Sequence, residues 1–317
     1  MKISVVIPAY NCASFIGEAI ESVLKQTISV HEIIVIDDGS EDDTGAIVRK
    51  KYSQVRILNQ KNSGPSTARN RGIAEASGDW IAFLDADDIW LPNKIEEQIL
   101  ALKRHPQLKL IASDMAEIDI HGNITIPSMQ EWHDQKKFFS NLRGRPIPRA
   151  AARLIEKNFI PTGTVLVERK VLSEKGGFND SLRYGEDLEI WVRIATDHPI
   201  SCLPTVHMLR RRHGSNATSF TMNMAKDLVK VAESVRRQAG RTLKKQGVDV
   251  DQMVSQAWAN LGYALFDQGQ YAQARQAMKS SFKEKPNLRA AYYWALANLP
   301  SRTIQRMRSV KQRLRRI

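Results

Sequence analysis

Two acidic clusters stand where short apolar runs end. Asp37-Asp38 follows Ile33-Ile34-Val35-Ile36, and Asp85-Ala86-Asp87-Asp88 follows the run Trp80–Leu84. Carboxylates at a strand end can hold a hard divalent cation, which bridges phosphate oxygens and stabilises charge gathering on them. The structural alternative for 85–88 is a solvated acidic turn. A third acidic pair, Glu186-Asp187, follows Gly185. A carboxylate there could take a proton from a hydroxyl. Equally, both could be surface acids at a helix start, where the macrodipole favours them. Arg69 and Arg71 flank Asn70. A guanidinium is a planar fork for phosphate, and an exposed helix arginine is the competing reading.

These residues are placed by elements that the patterning predicts. Ile3–Pro8 is a short continuous apolar run, as expected of a strand buried on both faces. Apolar residues at helical spacing predict a helix over Ser14–Gln26. A second strand covers 32–36, and Asp43 or Thr44 caps a helix to about Tyr52. A third strand spans Val55–Leu58, a helix Ser66–Ser77, and a fourth strand Trp80–Leu84. Pro92 opens a helix to about His105. Repeated β-α-β units of this length require right-handed crossovers and a mostly parallel sheet covered by helices. Ligands of such sheets bind beyond the carboxyl ends of the strands, where the acidic clusters stand. No Gly-rich dinucleotide fingerprint follows the first strand and no P-loop is present, which argues against a nicotinamide enzyme or a P-loop NTPase.

Taken in chain order, four segments resemble the family 2 glycosyltransferases, inverting enzymes of the GT-A fold. They are Ile3-Ser4-Val5-Val6-Ile7-Pro8-Ala9-Tyr10-Asn11, Val35-Ile36-Asp37-Asp38-Gly39-Ser40, Ala68-Arg69-Asn70-Arg71-Gly72-Ile73 and Phe83-Leu84-Asp85-Ala86-Asp87-Asp88. Gly176-Gly177-Phe178, Gly185-Glu186-Asp187 and Trp191-Val192-Arg193 extend the resemblance over roughly 1–218. It implies a nucleotide-diphosphate sugar donor and a glycan or lipid-linked acceptor in cell-surface polysaccharide synthesis. It also implies a divalent cation, Mn or Mg, ligated by Asp87, with Asp85 at the ribose or at a metal-bound water. Asp88 either caps a helix or supports the site. Asp187 matches the family's catalytic carboxylate, the base that a single in-line displacement requires, and Glu186 competes with it. Asp38 resembles the residue that accepts a hydrogen bond from the nucleobase. Pro8, Ala9 and Tyr10 resemble the wall beside the base, and Asp37 is a turn residue or a second contact. Arg69 and Arg71 are the candidates for the phosphates. The stretch 210–216 corresponds to a loop closing over the donor, making His213 a further metal ligand or a diphosphate partner. Thr162–Val167 and Gly176–Phe178 fall on the acceptor side of the cleft, whereas 120–160 matches nothing assignable. Two rivals stand against this reading. A nucleotidyltransferase shows a Gly-rich loop with Arg and Lys where this chain has Tyr10-Asn11-Cys12-Ala13. A non-catalytic scaffold with a degenerate transferase domain sits poorly with an intact Asp85, Asp87 and Asp187.

Charge separates the rest of the chain from this part. Of the 317 residues, 1–205 carry 25 Lys and Arg against 28 Asp and Glu, while 206–317 carry 22 against 6. Such asymmetry suggests an anionic partner for the C-terminal third. Residues 226–300 lack strand patterning and predict an all-α extension. Within it Trp258, Leu261, Gly262, Gly269, Tyr271, Ala274 and Pro286 fall at the spacing of one tetratricopeptide repeat. A structural extension, a homo-oligomer surface and a peptide groove are its three readings. Residues 301–317 hold seven Lys and Arg and no acid, with Ile304, Met307, Val310, Leu314 and Ile317 on one stripe. That is the pattern of a basic amphipathic helix on an anionic membrane surface. Nucleic acid is the rival anion, disfavoured by the lack of interleaved aromatics. No apolar run reaches the ~18 residues of a membrane span. Two cysteines form no metal or redox motif. Met1 leads straight into a strand, so no leader is expected, and the expected location is the cytoplasm or its membrane face.

Overall fold

The computed structural model describes residues 1–213 and 221–300. The expected donor-covering loop from 214 onward and the basic tail 301–317 lie outside the described residues. The chain divides into two compact units, Met1–Thr218 and Ser219–Ile317. Among the described residues no helix is long and apolar enough to cross a membrane.

The first unit opens with β1 (Ile3–Ala9), α1 (Ile16–Leu24), β2 (Glu32–Asp37), α2 (Thr44–Lys51), β3 (Arg56–Asn59), α3 (Pro65–Glu75) and β4 (Trp80–Phe83), alternating as the apolar runs predict. Ile3, Val5, Ile7 and Ala9 of β1 point into one core cluster with Ile16, Ala19, Ile20 and Val23 of α1. The alternate residue Val6 faces α3, as the two-residue period of a strand demands. There Gly72 is required: a Cβ on it would lie 2.2 Å from Val6 Cγ1. These strands pair in parallel in the order β3-β2-β1-β4. The connections run one way from β1 to β2 and β3, and the other way to β4. The crevice beyond β1 and β4 is therefore the topological switch point of the sheet.

Past β4 come β5 (Ile89–Trp90), α4 (Lys94–Arg104), β6 (Leu110–Ile118), β7 (Ile124–Ile126), α5 (Met129–Trp132), α6 (Lys136–Leu142), α7 (Ala150–Glu156), β8 (Leu166–Glu168), α8 (Arg169–Glu174), α9 (Glu186–Asp197) and β9 (Ile200–Arg211). They complete a nine-stranded sheet. This half is mixed. β8 runs antiparallel to β4 and β6, β9 parallel to β6, and β5 and β7 antiparallel to β9 and β6. The β6–β7 connection is a short turn, in which Asp119 accepts from the His121 and Asn123 backbones. It cannot make a crossover, so those strands must be antiparallel. Patterning missed β6 because polar Ser113, Asp114 and Glu117 interrupt it, although all nine of its residues are buried. It also placed Pro92 at a helix start. α4 begins two residues on, at Lys94, and the Pro92 carbonyl accepts from Thr27 N–H.

The second unit holds α10 (Met222–Lys245), α11 (Val250–Asp267), α12 (Tyr271–Glu284) and α13 (Leu288–Ala297). Gly262 lets α11 approach α12 closely, since a Cβ there would meet Met278 Cε at 2.7 Å. Ser255 and Ser281 hydroxyls join the same two helices at 2.9 Å. Pro286 follows the end of α12, where a proline cannot continue a helix.

Candidate active site

The carboxyl ends of β1 and β2 lie level, because Ala9 pairs with Asp37. The Ala9 carbonyl accepts from Asp38 N–H at 2.8 Å. Asp38 is buried, and its carboxylate accepts from Gln60 Nε2, Ser63 N–H and Gly64 N–H at 2.7–2.9 Å. It thereby anchors the chain leading into α3. Asp37 accepts from Ser40 N–H, which shapes the turn. Pro8 belongs to β1, and the ring of Tyr10, just past the strand, is exposed.

The 85–88 turn follows β4 on the other side of β1. Asp87 Oδ2 lies 2.9 Å from His213 Nε2. The imidazole stacks on Phe15, centroids 5.1 Å apart, and the Arg211 guanidinium covers the same phenyl ring. Arg211 is itself buried. It donates to Glu18 at 2.7 Å and to the Asp87 carbonyl at 3.3 Å, while its N–H donates to Asp88 Oδ1 at 3.0 Å. Asp88 therefore ties the turn to β9 rather than capping a helix. The strand β9 continues through Arg211, so Arg210 and Arg211 are not the loop residues that the sequence suggests. Opposite-charge pairing holds them there, with Arg210 on Glu117 of β6 and Arg211 on Glu18 of α1. Burial, then the Asp85 charge, pushes the Asp87 carboxyl up, and the His213 bond draws it back. Burial pushes Asp88 well up.

Asp87 and His213 set a carboxylate oxygen and an imidazole nitrogen side by side, here joined by a 2.9 Å hydrogen bond, and both are donor types that divalent cations accept. Among the described residues no group of three His, Cys, Asp or Glu side chains converges as a metal cage. A cation held by these two residues would have to take its other ligands from phosphates and water.

Arg69 is the hub of the opposite side. Its side chain is only 6% exposed. One terminal nitrogen donates to Asp85 Oδ1 at 2.8 Å and the other to Glu186 Oε1 at 2.9 Å. Its guanidinium is thus engaged by two carboxylates rather than extended as a fork for phosphate. The two strongest candidate segments, the β4 turn and the start of α9, are held together through it. Arg71 donates to the Asn59 carbonyl at the end of β3. Between them Asn70 accepts from Phe178 N–H and donates to Phe178 O, both at 2.8 Å. Phe178 then packs edge-on to Phe83 of β4 and Trp191 of α9. Arg193 donates to Glu189 and to the Gly177 carbonyl, closing the same loop.

Glu186 and Asp187 occupy the first turn of α9. Asp187 Oδ1 accepts from Leu188 N–H at 2.6 Å and Oδ2 from Asn158 Nδ2 at 3.1 Å. Burial pushes the Asp187 carboxyl up, against the pull of Arg69. Burial also pushes Glu186 up to about 7; the Arg69 charge opposes this and the Asp187 charge adds to it. Three carboxylates around one guanidinium leave the cluster short of positive charge. Sequence patterning missed Phe15, Glu18, Glu117 and Asn158. Asn70 carried a signal, standing between two singled-out arginines, and so did Arg211, within the stretch 210–216 that resembles a donor-covering loop.

Residues 4–172 match the family described as Glycosyl transferase family 2. The chain is 32% identical over 225 residues to an uncharacterized glycosyltransferase of Rickettsia bellii, covering 70% of this chain and 30% of that protein. It therefore spans less than a third of that relative's length. It is 30% identical over 228 residues to an Escherichia coli protein named UDP-Glc:alpha-D-GlcNAc-diphosphoundecaprenol beta-1,3-glucosyltransferase, covering 71% of this chain and 82% of that one. The crystal structure of S. aureus TarS 1–349 in complex with UDP-GlcNAc superposes with a TM-score of 0.68 at 18% identity, covering 98% of this chain and 92% of that one. That likeness is one of fold.

Proposed function

The chain belongs to glycosyl transferase family 2, and from that premise we propose that it moves glucose or N-acetylglucosamine, with inversion, from a uridine-diphosphate donor to a lipid-linked glycan. The donor and acceptor classes rest on the names of the E. coli relative and the S. aureus complex. The observation that carries the reading is the Arg69 bridge. It gathers the acidic turn after β4 and the Glu186-Asp187 pair at one end of the sheet, beside the switch point where such sheets take ligands.

In this reading Asp187 is the base. Glu186 is paired with Arg69, whereas Asp187 accepts from two uncharged donors, Leu188 N–H and Asn158 Nδ2. Asp187 takes the acceptor hydroxyl proton as that oxygen bonds to the sugar's anomeric carbon. The bond from that carbon to the diphosphate breaks, and the electron pair leaves with the nucleotide. A divalent cation held by Asp87 and His213 would neutralise the diphosphate as it departs. Asp38, Pro8, Ala9 and Tyr10 flank the nucleobase, and Asp85 lies toward the ribose. Arg69 holds the two carboxylate segments in register.

The test is nucleotide release from UDP-glucose and UDP-N-acetylglucosamine with a polyprenyl-diphosphate sugar acceptor, with Mn or Mg or with chelator. Acceptor-stimulated release that needs the cation is expected. Full turnover in chelator would remove the metal from the reading. No release from any uridine-diphosphate sugar would overturn the donor class. A bound donor at 100 times its Kd should raise stability by about 2.7 kcal/mol.

We also place the reaction at the cytoplasmic face of an anionic membrane, on the charge of 301–317. Each Lys or Arg near such a surface contributes about 1 kcal/mol, screened by salt. Removing 301–317 should release the protein from anionic vesicles and leave donor hydrolysis unchanged. Equal vesicle binding with and without the tail would refute the anchor.

A further inference from the structure

We propose that Asn158, in the loop after α7, is the positioning residue of the base Asp187. Its side-chain oxygen accepts from Ile160 N–H at 3.1 Å, two residues on. An amide's oxygen and nitrogen are told apart by the bonds they make. With the oxygen committed to a backbone donor, the nitrogen must face away from it. That nitrogen donates to Asp187 Oδ2 at 3.1 Å. The other carboxylate oxygen accepts from Leu188 N–H. Asp187 is thus held at both oxygens by uncharged donors, one from its own helix and one from a loop 29 residues away in sequence. Two such bonds fix the carboxylate plane and leave lone pairs for an incoming hydroxyl. Reactivity is sensitive to this: misplacement of a reacting group by about 1 Å can cost ~10²-fold.

The Asn158 amide does two separable jobs, and one substitution divides them. Asn158→Asp keeps an oxygen for Ile160 N–H and so keeps the loop. It removes the donor to Asp187 and sets a second carboxylate against it. Asn158→Ala removes both bonds. A positioning role therefore predicts a lower kcat for Asn158→Asp than for Asn158→Ala, with donor KM unchanged in both. The expected losses are about 10-fold to 100-fold for the alanine variant and more for the aspartate. A purely structural role predicts the reverse order, with Asn158→Asp close to wild type.

This inference rests on Asp187 being the base, and the experiment separates the two. Steady-state transfer is measured for Asn158→Asp, Asn158→Ala and Asp187→Asn in the full chain, with unfolding midpoints alongside. If Asp187→Asn turns over normally, the base assignment fails, and the positioning role with it. If Asp187→Asn is inactive while Asn158→Asp keeps wild-type kcat, the positioning role alone fails. Should Asn158→Ala lose its fold, Asn158→Asp decides alone. A fall in its kcat at unchanged donor KM supports the role, and a wild-type kcat overturns it.

Discussion

Asp87 and Asp187 are both carboxylates whose acidity burial has weakened, yet the molecule holds them by opposite means. Asp87 sits on a tight turn between two strands of one sheet. Its partner His213 follows β9, which pairs with β5 just past the same turn. The Asp87 side, the proposed cation side, is therefore built by strand pairing, with Phe15 and Arg211 as its wall. Asp187 starts a helix that no strand pairing fixes. Its place depends on Arg69, on Phe178 wedged against Phe83 and Trp191, and on Asn158. In the proposed reading, the group that would face a diphosphate is set by sheet register, and the group that would face a variable acceptor is set by side chains, which can change without disturbing the sheet.

The largest effect should come from the cation side. Asp87→Ala, or chelation, is expected to remove several kcal/mol of charge stabilisation. That is about a thousandfold or more in both transfer and donor hydrolysis, read as nucleotide release with and without acceptor. Asp187→Asn keeps the shape but cannot accept a proton. Transfer should fall about 10²- to 10⁴-fold, while donor affinity by calorimetry stays at the wild-type value. If Asp187→Asn lost donor binding as well, the division between the two sides would break.

Arg69 links the sides, so its removal should damage both. Arg69→Met leaves Asp85 and Glu186 facing each other unpaired. Breaking a buried pair costs about 3–5 kcal/mol. Because Asp85 is 38% exposed and water screens it, the lower part of that range is expected. A denaturant titration reads it, and an unchanged midpoint would mean the bridge is dispensable.

The smallest effect is a pH dependence from Glu186 on the base side. Glu186 is raised to about 7 from an ordinary 4.5. Between those values the native protein keeps a proton that the unfolded chain releases, so stability falls as pH rises through that window. Glu186→Gln keeps an oxygen for Arg69 and cannot titrate. Its unfolding midpoint should therefore decline less than that of wild type between pH 4.5 and 7. Parallel declines would show that Glu186 titrates normally.

The amino-acid sequence by itself determined the first half of the sheet and the polar residues at its edge. Local rules suffice there. Apolar runs buried on both faces must be strands, short connections with helical spacing must cross over, and ligands gather where those strands end. The placement of Asp38, Asp85 and Asp87 beyond strand ends was legible for that reason, and family motifs singled out Asp187 as well. Tertiary structure alone decided which charges meet. Arg69 and Glu186 are 117 residues apart, and His213 is 126 from Asp87. No local period encodes such pairs. Two of the three polar residues that break the pattern of β6 bind partners across the fold, Glu117 to Arg210 and Asp114 to the Gln130 backbone. Asn158 was invisible for the same reason: its amide has meaning only once α9 has been folded against it.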